Sequence, residues 1–430
     1  MELEEILKKI EETPKPKVKK ACIAYSGGLD SCLGVEFLRK VYGAEEIVAV
    51  TLDVGQGEEE IKDADEKAKK LGIDPILIDI KDEFTEVWMS KAIQANSDYN
   101  GYPVSTSMTR QLVAAVVAEQ AVKHGCDSIL EGCTGKGNDQ YRMHNVIKFF
   151  APDIEILQPV RDFDLTRLEE NALVEAWDIP VNEQVTGGDD KTLWCRSIAS
   201  GAVDLNQPLP DDIWMWLVPP EKAPDKPTIV ELEFERGVPV AMDGKHMKLG
   251  DLVMELNVIA GKNGVGKIDM FEDGIMNMKS REIYEAPAAH VILKLHRDLE
   301  QWCLSKDEIQ FKKSVDSKWA YLVYHGQWYH PLKDDLDAFI SKSQEWVNGR
   351  YKAKLYKGNI DIIERHSDTG LFSPEMRSIK TRGFDQRWAV GSTKVETLQW
   401  MIMAKAGRKP QPKVEIKKDL KKAEKVKARK

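Results

Sequence analysis

Paired cysteines are missing from this 430-residue chain. The six present, at positions 22, 32, 126, 133, 195 and 303, are scattered, and none forms a C-x-x-C pair. Their spacing argues against zinc fingers and against a disulfide framework, and a reducing cytoplasm is the expected compartment. The eight histidines are equally dispersed. His325 and His330 fall beside Trp328 and Tyr329, which reads as aromatic packing rather than as zinc-ligand spacing. No apolar run approaches the length of a membrane span. Residues 1–20 are charged and lack an apolar core, so no secretory leader is expected. A basic body is missing too. The net charge is −9, yet residues 413–430 alone carry +6, which leaves about −15 on the rest. Such a body is a poor footprint for a nucleic-acid enzyme, and the basic tail reads as a solvated or packed terminal helix.

What is present is organised around residues 21–32, A-C-I-A-Y-S-G-G-L-D-S-C. A five-residue apolar run of strand length breaks at Ser26-Gly27-Gly28, and a helical pattern follows through Lys40. Adjacent glycines let the backbone turn tightly against a ligand. The following helix aims its free N–H groups and positive end into that turn. Ser26 and Ser31 add hydroxyls, and Asp30 adds a carboxylate able to hold a phosphate-bound magnesium ion. The parts make a phosphate cradle.

Further along, residues 46–54, 76–80, 128–131 and 155–160 read as strands. Residues 58–71, 85–94, 110–124 and 166–177 read as helices. Strands alternating with helices predict an α/β, Rossmann-like parallel sheet over residues 21–182, with ligands beyond the strands' carboxyl ends. Residues 1–20 read as an extension with a short amphipathic helix on Leu3, Ile6, Leu7 and Ile10. Composition changes after Pro180, and residues 186–188 and 208–227 read as connectors. Residues 183–405 are expected to form an α+β domain, with strands from Ile229 and at 352–355, a helix at 249–260, and a strand at 321–324.

A second glycine-rich loop, residues 132–139 (G-C-T-G-K-G-N-D), ends the fourth strand on the same sheet edge as the first. With Arg142 behind it, it suits closing over a charged ligand. By contrast, G-K-N-G-V-G-K at 261–267 matches only the first seven positions of a nucleotide P-loop. Ile268 stands where that motif needs a magnesium-binding hydroxyl, so a structural turn is expected.

The motifs AYSGGLD, GQGEE, TGKGNDQ, LW-x-RS, GKNGVGKID, MKSREIYEAPA and KSQEWV run from about Ala21 to about Lys405. By them the chain resembles the argininosuccinate synthases, members of the pyrophosphate-loop class of ATP pyrophosphatases. The resemblance implies ATP-dependent condensation of citrulline with aspartate, giving argininosuccinate, AMP and pyrophosphate by way of citrullyl-AMP. It implies a homotetramer, with Mg2+ arriving on ATP and no dedicated protein metal site. It implies ATP contacts at Ala24, Tyr25, Ser26, Gly27, Gly28, Leu29, Asp30, Ser31 and Cys32, with Leu52 and Gly132 near the nucleotide. Citrulline would meet Tyr102, Ser107, Asn138, Arg142, Ser197, Glu272 and Tyr284. Aspartate would meet Thr134, Asn138 and Asp139. Arg142 can grip a carboxylate and Glu272 can answer an ammonium. Asp139 would answer the aspartate ammonium, with Arg142 facing a different ligand across Asn138. No side chain serves as nucleophile in this scheme, and Asp30 and Arg142 are the best catalytic candidates. The chain departs from the family at Gly188, where a serine hydroxyl is expected, and at Lys191, Thr192 and Cys32.

Two other readings fit the first loop. A tRNA-modifying pyrophosphate-loop enzyme would want a basic face and paired catalytic cysteines. A non-catalytic nucleotide-binding descendant would bind ATP without citrulline-dependent pyrophosphate release. Every matched motif precedes the tail. Truncation after Lys409 is therefore expected to leave the chemistry of each active site intact, as checked by product synthesis beside the oligomeric state.

Overall fold

Apolar residues cluster so densely in residues 20–24 that both faces of the strand they form must be covered. Cys22 and Ala21 are fully buried, and Ile23 nearly so. The computed structural model, which describes residues 3–181, 190–201 and 205–408, places this strand at the centre of a parallel sheet. Its strands are β1 (Lys20–Ala24), β2 (Glu46–Asp53), β3 (Ile76–Asp79), β4 (Ser128–Leu130) and β5 (Glu155–Leu157), in the order β3-β2-β1-β4-β5. The helices α1 (Leu3–Glu12), α2 (Leu29–Glu36), α3 (Glu58–Lys70), α4 (Ser90–Gln94), α5 (Ser105–Lys123), α6 (Asp139–Phe150), α7 (Pro159–Asp162) and α8 (Arg167–Ala176) accompany it. The strand order reverses at β1, whose neighbours are β2 on one side and β4 on the other. Such a reversal opens a crevice beyond the carboxyl ends of the two strands. The two glycine-rich loops leave β1 and β4 at that crevice.

Two further sheets are antiparallel. One has the order β10-β9-β8-β13-β14 and the other β11-β12-β7-β6. Their strands are β6 (Asp190–Lys191), β7 (Arg196–Gly201), β8 (Thr228–Glu235), β9 (Val238–Met242), β10 (Lys245–His246), β11 (Lys267–Asp273), β12 (Lys279–Glu285), β13 (Gly349–Tyr356) and β14 (Asn359–His366). Helices α9 (Leu249–Lys262), α10 (Pro287–Cys303), α11 (Lys306–Tyr324) and α12 (Pro331–Ser343) pack with them. One buried cluster runs through both regions, where the Trp88 and Trp328 rings stack at 3.6 Å. The chain divides by its contacts into two units, Met1–Leu371 and Phe372–Lys430. The second holds the short helices α13 (Pro374–Arg377), α14 (Ala389–Glu396) and α15 (Leu398–Lys405), and the Ile379, Trp388, Val395, Trp400 and Ile402 side chains of this unit are exposed in the single chain.

The structure differs from the sequence reading in four places. Residues 321–324 are the last turn of α11, not a strand. β-Branched and aromatic residues raise strand propensity there, but Trp319, Ala320, Leu322, Val323 and Tyr324 are all buried, so packing decides. The fifth strand stops at Leu157, because Pro159 is suited to the first turn of a helix and begins α7. Residues 1–20 include α1, whose Ile6 and Ile10 are buried in the core shared with Val35 and Phe37. Residues 208–227 are pinned rather than loose. Met215, Trp216 and Leu217 donate their N–H groups to Glu285 Oε1 at 3.1, 2.8 and 2.9 Å, and Arg196 pairs with the other carboxylate oxygen. The connector read at 186–188, the Gly188 departure and the tail beyond Arg408 lie outside the described residues.

Residues 261–267 form the turn from α9 into β11. A phosphate loop runs from strand to helix, and this one runs from helix to strand. Gly264 and Gly266 have φ of +73° and +114°, which explains the glycines. His325 stacks on Tyr321 at 3.9 Å, and His330 caps α12 by accepting from Leu332 N–H.

Ile6 is fully buried although it precedes every matched motif. Ile6→Ala is expected to destabilise the protein by about 2–5 kcal/mol. Urea denaturation measures the loss, and citrulline affinity at 25 °C is expected to stay unchanged.

Candidate active site

The loop after β1 is built on two close approaches. Gly27 has φ +73°, and a Cβ there would lie 2.6 Å from the Ala64 backbone of α3. Gly28 then caps α2 from an extended conformation. The Ser26 and Ser31 hydroxyls lie 3.3 Å apart, and Ser31 Oγ donates to Gly28 carbonyl at 3.0 Å. Gly28 N–H donates to Ser26 Oγ at 3.3 Å, so the loop holds its own shape. Tyr25, Leu29 and Cys32 face inward and are buried, with the Tyr25 hydroxyl 3.5 Å from Cys32 Sγ. These three support the turn from below; only their backbone, at most, belongs to the loop's outer surface. Leu52 is buried near the end of β2, and its carbonyl accepts from Gln56 at 2.9 Å. Ala24 ends β1.

Asp30 reaches out from the turn and pairs with Arg167 of α8 at 2.7 Å. Arg167 also meets Glu170 at 2.9 Å. Burial, then the nearby Asp30, pushes the Glu170 carboxyl up to about 7. The loop after β4 passes directly above Asp30, since a Cβ on Gly132 would sit 2.9 Å from the Asp30 Cβ. Glu131, the residue before Gly132, is buried against Gln158, and burial pushes its carboxyl up to about 8. Glu131 is turned into the core, whereas the Asp30 carboxylate reaches the mouth of the turn.

The same loop carries Thr134 and ends at Asn138, which begins a second cluster. Asn138 Oδ1 accepts from Ile275 N–H at 2.8 Å, so its amide nitrogen is turned to the Tyr324 hydroxyl at 2.9 Å. Tyr324 in turn donates to Glu272. The other Glu272 oxygen accepts from the Tyr284 hydroxyl at 3.1 Å. Tyr284 stacks on Tyr102 at 4.6 Å between ring centres, and Ser197 of β7 lies opposite Tyr284 across the strand pair. Ser107 is fully buried near the start of α5, and its hydroxyl has no partner among the described residues. Val104, just before α5, is left-handed at φ +48°, a strained position for a β-branched residue.

Arg142 and Asp139 do not face apart. Arg142 Nη1 pairs with Asp139 Oδ1 at 2.8 Å, and Arg110 Nε of α5 pairs with Oδ2 at 2.9 Å. Arg110 Nη2 also meets Asp190 of β6 at 2.9 Å. Asp139 sits one turn before Arg142 on α6, so helix geometry brings the two together. Burial raises the Asp139 carboxyl, but the two guanidinium groups outweigh it and hold it below the usual carboxylate range. Arg142 Nε donates to Tyr324 carbonyl at 3.0 Å, and its guanidinium lies 4.7 Å from that ring's centre. The Nη2 of Arg142 has no hydrogen bond among the described residues. Burial pushes the Glu272 carboxyl up to about 7, against the Tyr324 hydrogen bond and with Glu282 adding to the rise.

The expected residues therefore gather in two adjoining places, the phosphate turn and the Asn138–Glu272 cluster, joined by residues 132–138. Sequence reading missed Tyr324, Tyr99, Arg110, Asp190 and Glu282. Arg110 lay within reach as the one charged residue in the first half of α5; Tyr324 was hidden by its misread helix.

The family model described as the arginosuccinate synthase N-terminal HUP domain matches residues 20–180. The one described as the arginosuccinate synthase C-terminal domain matches residues 188–403. Relatives named argininosuccinate synthase from Methanopyrus kandleri and Methanococcus maripaludis are each 43% identical, over 89% and 91% of this chain and 98% and 99% of their own. The one from Pyrococcus furiosus is 44% identical over 88% of this chain and 93% of its own. Solved structures of a U34-tRNA thiolase from Methanococcus maripaludis and an NH3-dependent NAD synthetase from Campylobacter jejuni are 15% and 13% identical. They cover 42% of this chain and 65% and 75% of theirs, with TM-scores of 0.29 and 0.31, too loose to bear on the chemistry. Both family models and relatives matched along almost their whole length agree, and the chain belongs to the argininosuccinate synthase family.

Proposed function

We propose that the two adjoining clusters divide the family's ligation of citrulline to aspartate between them. The chain is a carbon–nitrogen ligase that converts ATP to AMP and diphosphate. Its phosphate turn, residues 24–32 with Gly132 and Leu52, takes the nucleotide. Backbone N–H groups and the N-terminal end of α2 face the phosphates. Asp30 and Arg167 sit where the diphosphate leaves. A magnesium ion carried by ATP would be held through Asp30 and would neutralise phosphate charge; among the described residues no group of three or more His, Cys, Asp or Glu forms a metal site of its own.

Citrulline occupies the second cluster. Arg142 takes its α-carboxylate and Glu272 its ammonium, with Tyr102, Ser107, Asn138, Ser197 and Tyr284 as walls and donors. The unpartnered buried hydroxyl of Ser107 supports this reading, because a buried polar group calls for a partner. The ureido oxygen then attacks the α-phosphorus and expels diphosphate. Aspartate enters at Thr134, Asn138 and Asp139, and its amine displaces AMP. Catalysis rests on positioning and on charge stabilisation. The observation that carries the proposal is the course of residues 132–138. They run from above Asp30 to the Asn138 hub, so one short loop borders all three ligands.

Residues 21–182 act as the ATP-binding part and residues 183–405 as the synthetase and multimerisation part. The exposed apolar residues of the Phe372–Lys430 unit, Trp388, Trp400 and Ile402 among them, support self-association into a homotetramer. The working compartment is the cytoplasm.

Diphosphate release with citrulline or aspartate omitted in turn tests the reading: release is expected to need citrulline. Release that ignores citrulline would overturn it. Asp30→Ala is expected to cut release by about 10²-fold or more, as loss of a preorganised charge contact does.

Positional oxygen exchange in labelled ATP, with citrulline and without aspartate, isolates the first step. Arg142→Ala is expected to abolish exchange. Asp139→Asn is expected to depress it as well, because Asp139 holds Arg142 in place. Thr134→Val is expected to spare exchange and block argininosuccinate formation. Normal exchange in the Asp139 variant would show that the two sites act apart.

A further inference from the structure

Tyr324 touches more of the candidate citrulline cluster than any residue the sequence pointed to. Its hydroxyl accepts from Asn138 Nδ2 at 2.9 Å and donates to Glu272. Its carbonyl accepts from Arg142 Nε, and its ring lies under the Arg142 guanidinium. It also stacks against Tyr99 at 3.8 Å, 13° from parallel, and Tyr99 itself is tied to the carbonyl of Asp273 at 2.9 Å. The phenol is fully buried.

The proton inventory fixes the direction of this chain. Ile275 N–H can only donate, so Asn138 must offer its amide nitrogen to the phenol. The phenol then has one proton, and it goes to Glu272. Tyr284 supplies a second phenol, whose single proton is shared between Glu272 at 3.1 Å and Glu282 at 3.3 Å. Donors to the ionised form of a carboxyl favour that form. Around Glu272 stand Tyr324 from α11, Arg142 from α6, Glu282 and Tyr284 from β12, and Tyr99 and Tyr102 from the segment before α5.

We infer that Tyr324 is a positioning residue for citrulline, holding Glu272 ionised and Asn138 in a single amide orientation so that both face the substrate together. The inference rests on the citrulline assignment proposed above. Burial pushes Glu272 up to about 7, so it stands at the point where loss of one donor changes its charge at neutral pH.

Tyr324→Phe keeps the ring stack and the contact with Arg142 and removes only the hydroxyl. It is expected to raise the citrulline KM about tenfold near pH 7, the size of one hydrogen bond to a charged group. The ATP KM is expected to hold. Losing the donor raises the Glu272 pKa further, so the acidic limb of kcat/KM for citrulline moves to higher pH. The defect is expected to shrink at about pH 8.5, where Glu272 ionises without help. A purely structural role would leave the limb in place. Fluorotyrosine at position 324, a stronger donor, guards against a folding defect and is expected to move the limb the other way. An unchanged limb in both, while Glu272→Gln raises the citrulline KM, overturns the inference alone. If Glu272→Gln also leaves citrulline binding untouched, the citrulline assignment falls and this inference with it.

Discussion

Two guanidinium groups share one carboxylate at the centre of this molecule, and much of the site follows from that arrangement. Arg142 is almost wholly buried, with 6% of its side chain exposed, while Asp139 keeps 29% and Arg110 32%. A cation so far from water requires a fixed anion beside it. Asp139 supplies it from one helical turn away and meets Arg110 of α5 at the same time. Arg110 continues to Asp190 on β6. The parallel sheet's helices and the four-stranded antiparallel sheet are thereby joined through charge as well as through apolar packing.

That constraint also fixes one end of the loop that joins the two clusters. Residues 132–138 pass close over Asp30 at Gly132, where a side chain would not fit, and are held at Asn138 by the Ile275 and Tyr324 contacts. The topological reversal at β1 sets where this happens. It leaves the crevice open between two loops whose strands are neighbours in space and more than a hundred residues apart in the chain.

The parallel sheet was legible because its strands are short apolar runs and its helices have strong period and punctuation. The turn after β1 was legible for a similar reason, as a strand, two glycines and a helix admit few arrangements. The interior of the Asn138–Glu272 cluster was not. Arg110 and Asp190 are eighty residues apart, and nothing local in either announces the other. Tyr324 looked like part of a strand, because A-Y-L-V-Y favours one when read without its surroundings. Asp139 and Arg142 were both singled out, but spacing alone could not tell two side chains serving separate ligands from two serving each other.

The turn at residues 261–267 shows how much direction matters in reading such patterns. Here the glycines receive the C-terminal end of α9, and carbonyl oxygens accept from neighbouring backbone: Gly261 from Val218, Asn263 from Gly358 and Gly266 from Ala286. A helix presents its negative pole at that end. The same seven letters that elsewhere surround phosphate with hydrogens here surround the turn with oxygens. To a text search the two are identical, yet the backbone here offers acceptors where a phosphate loop offers donors.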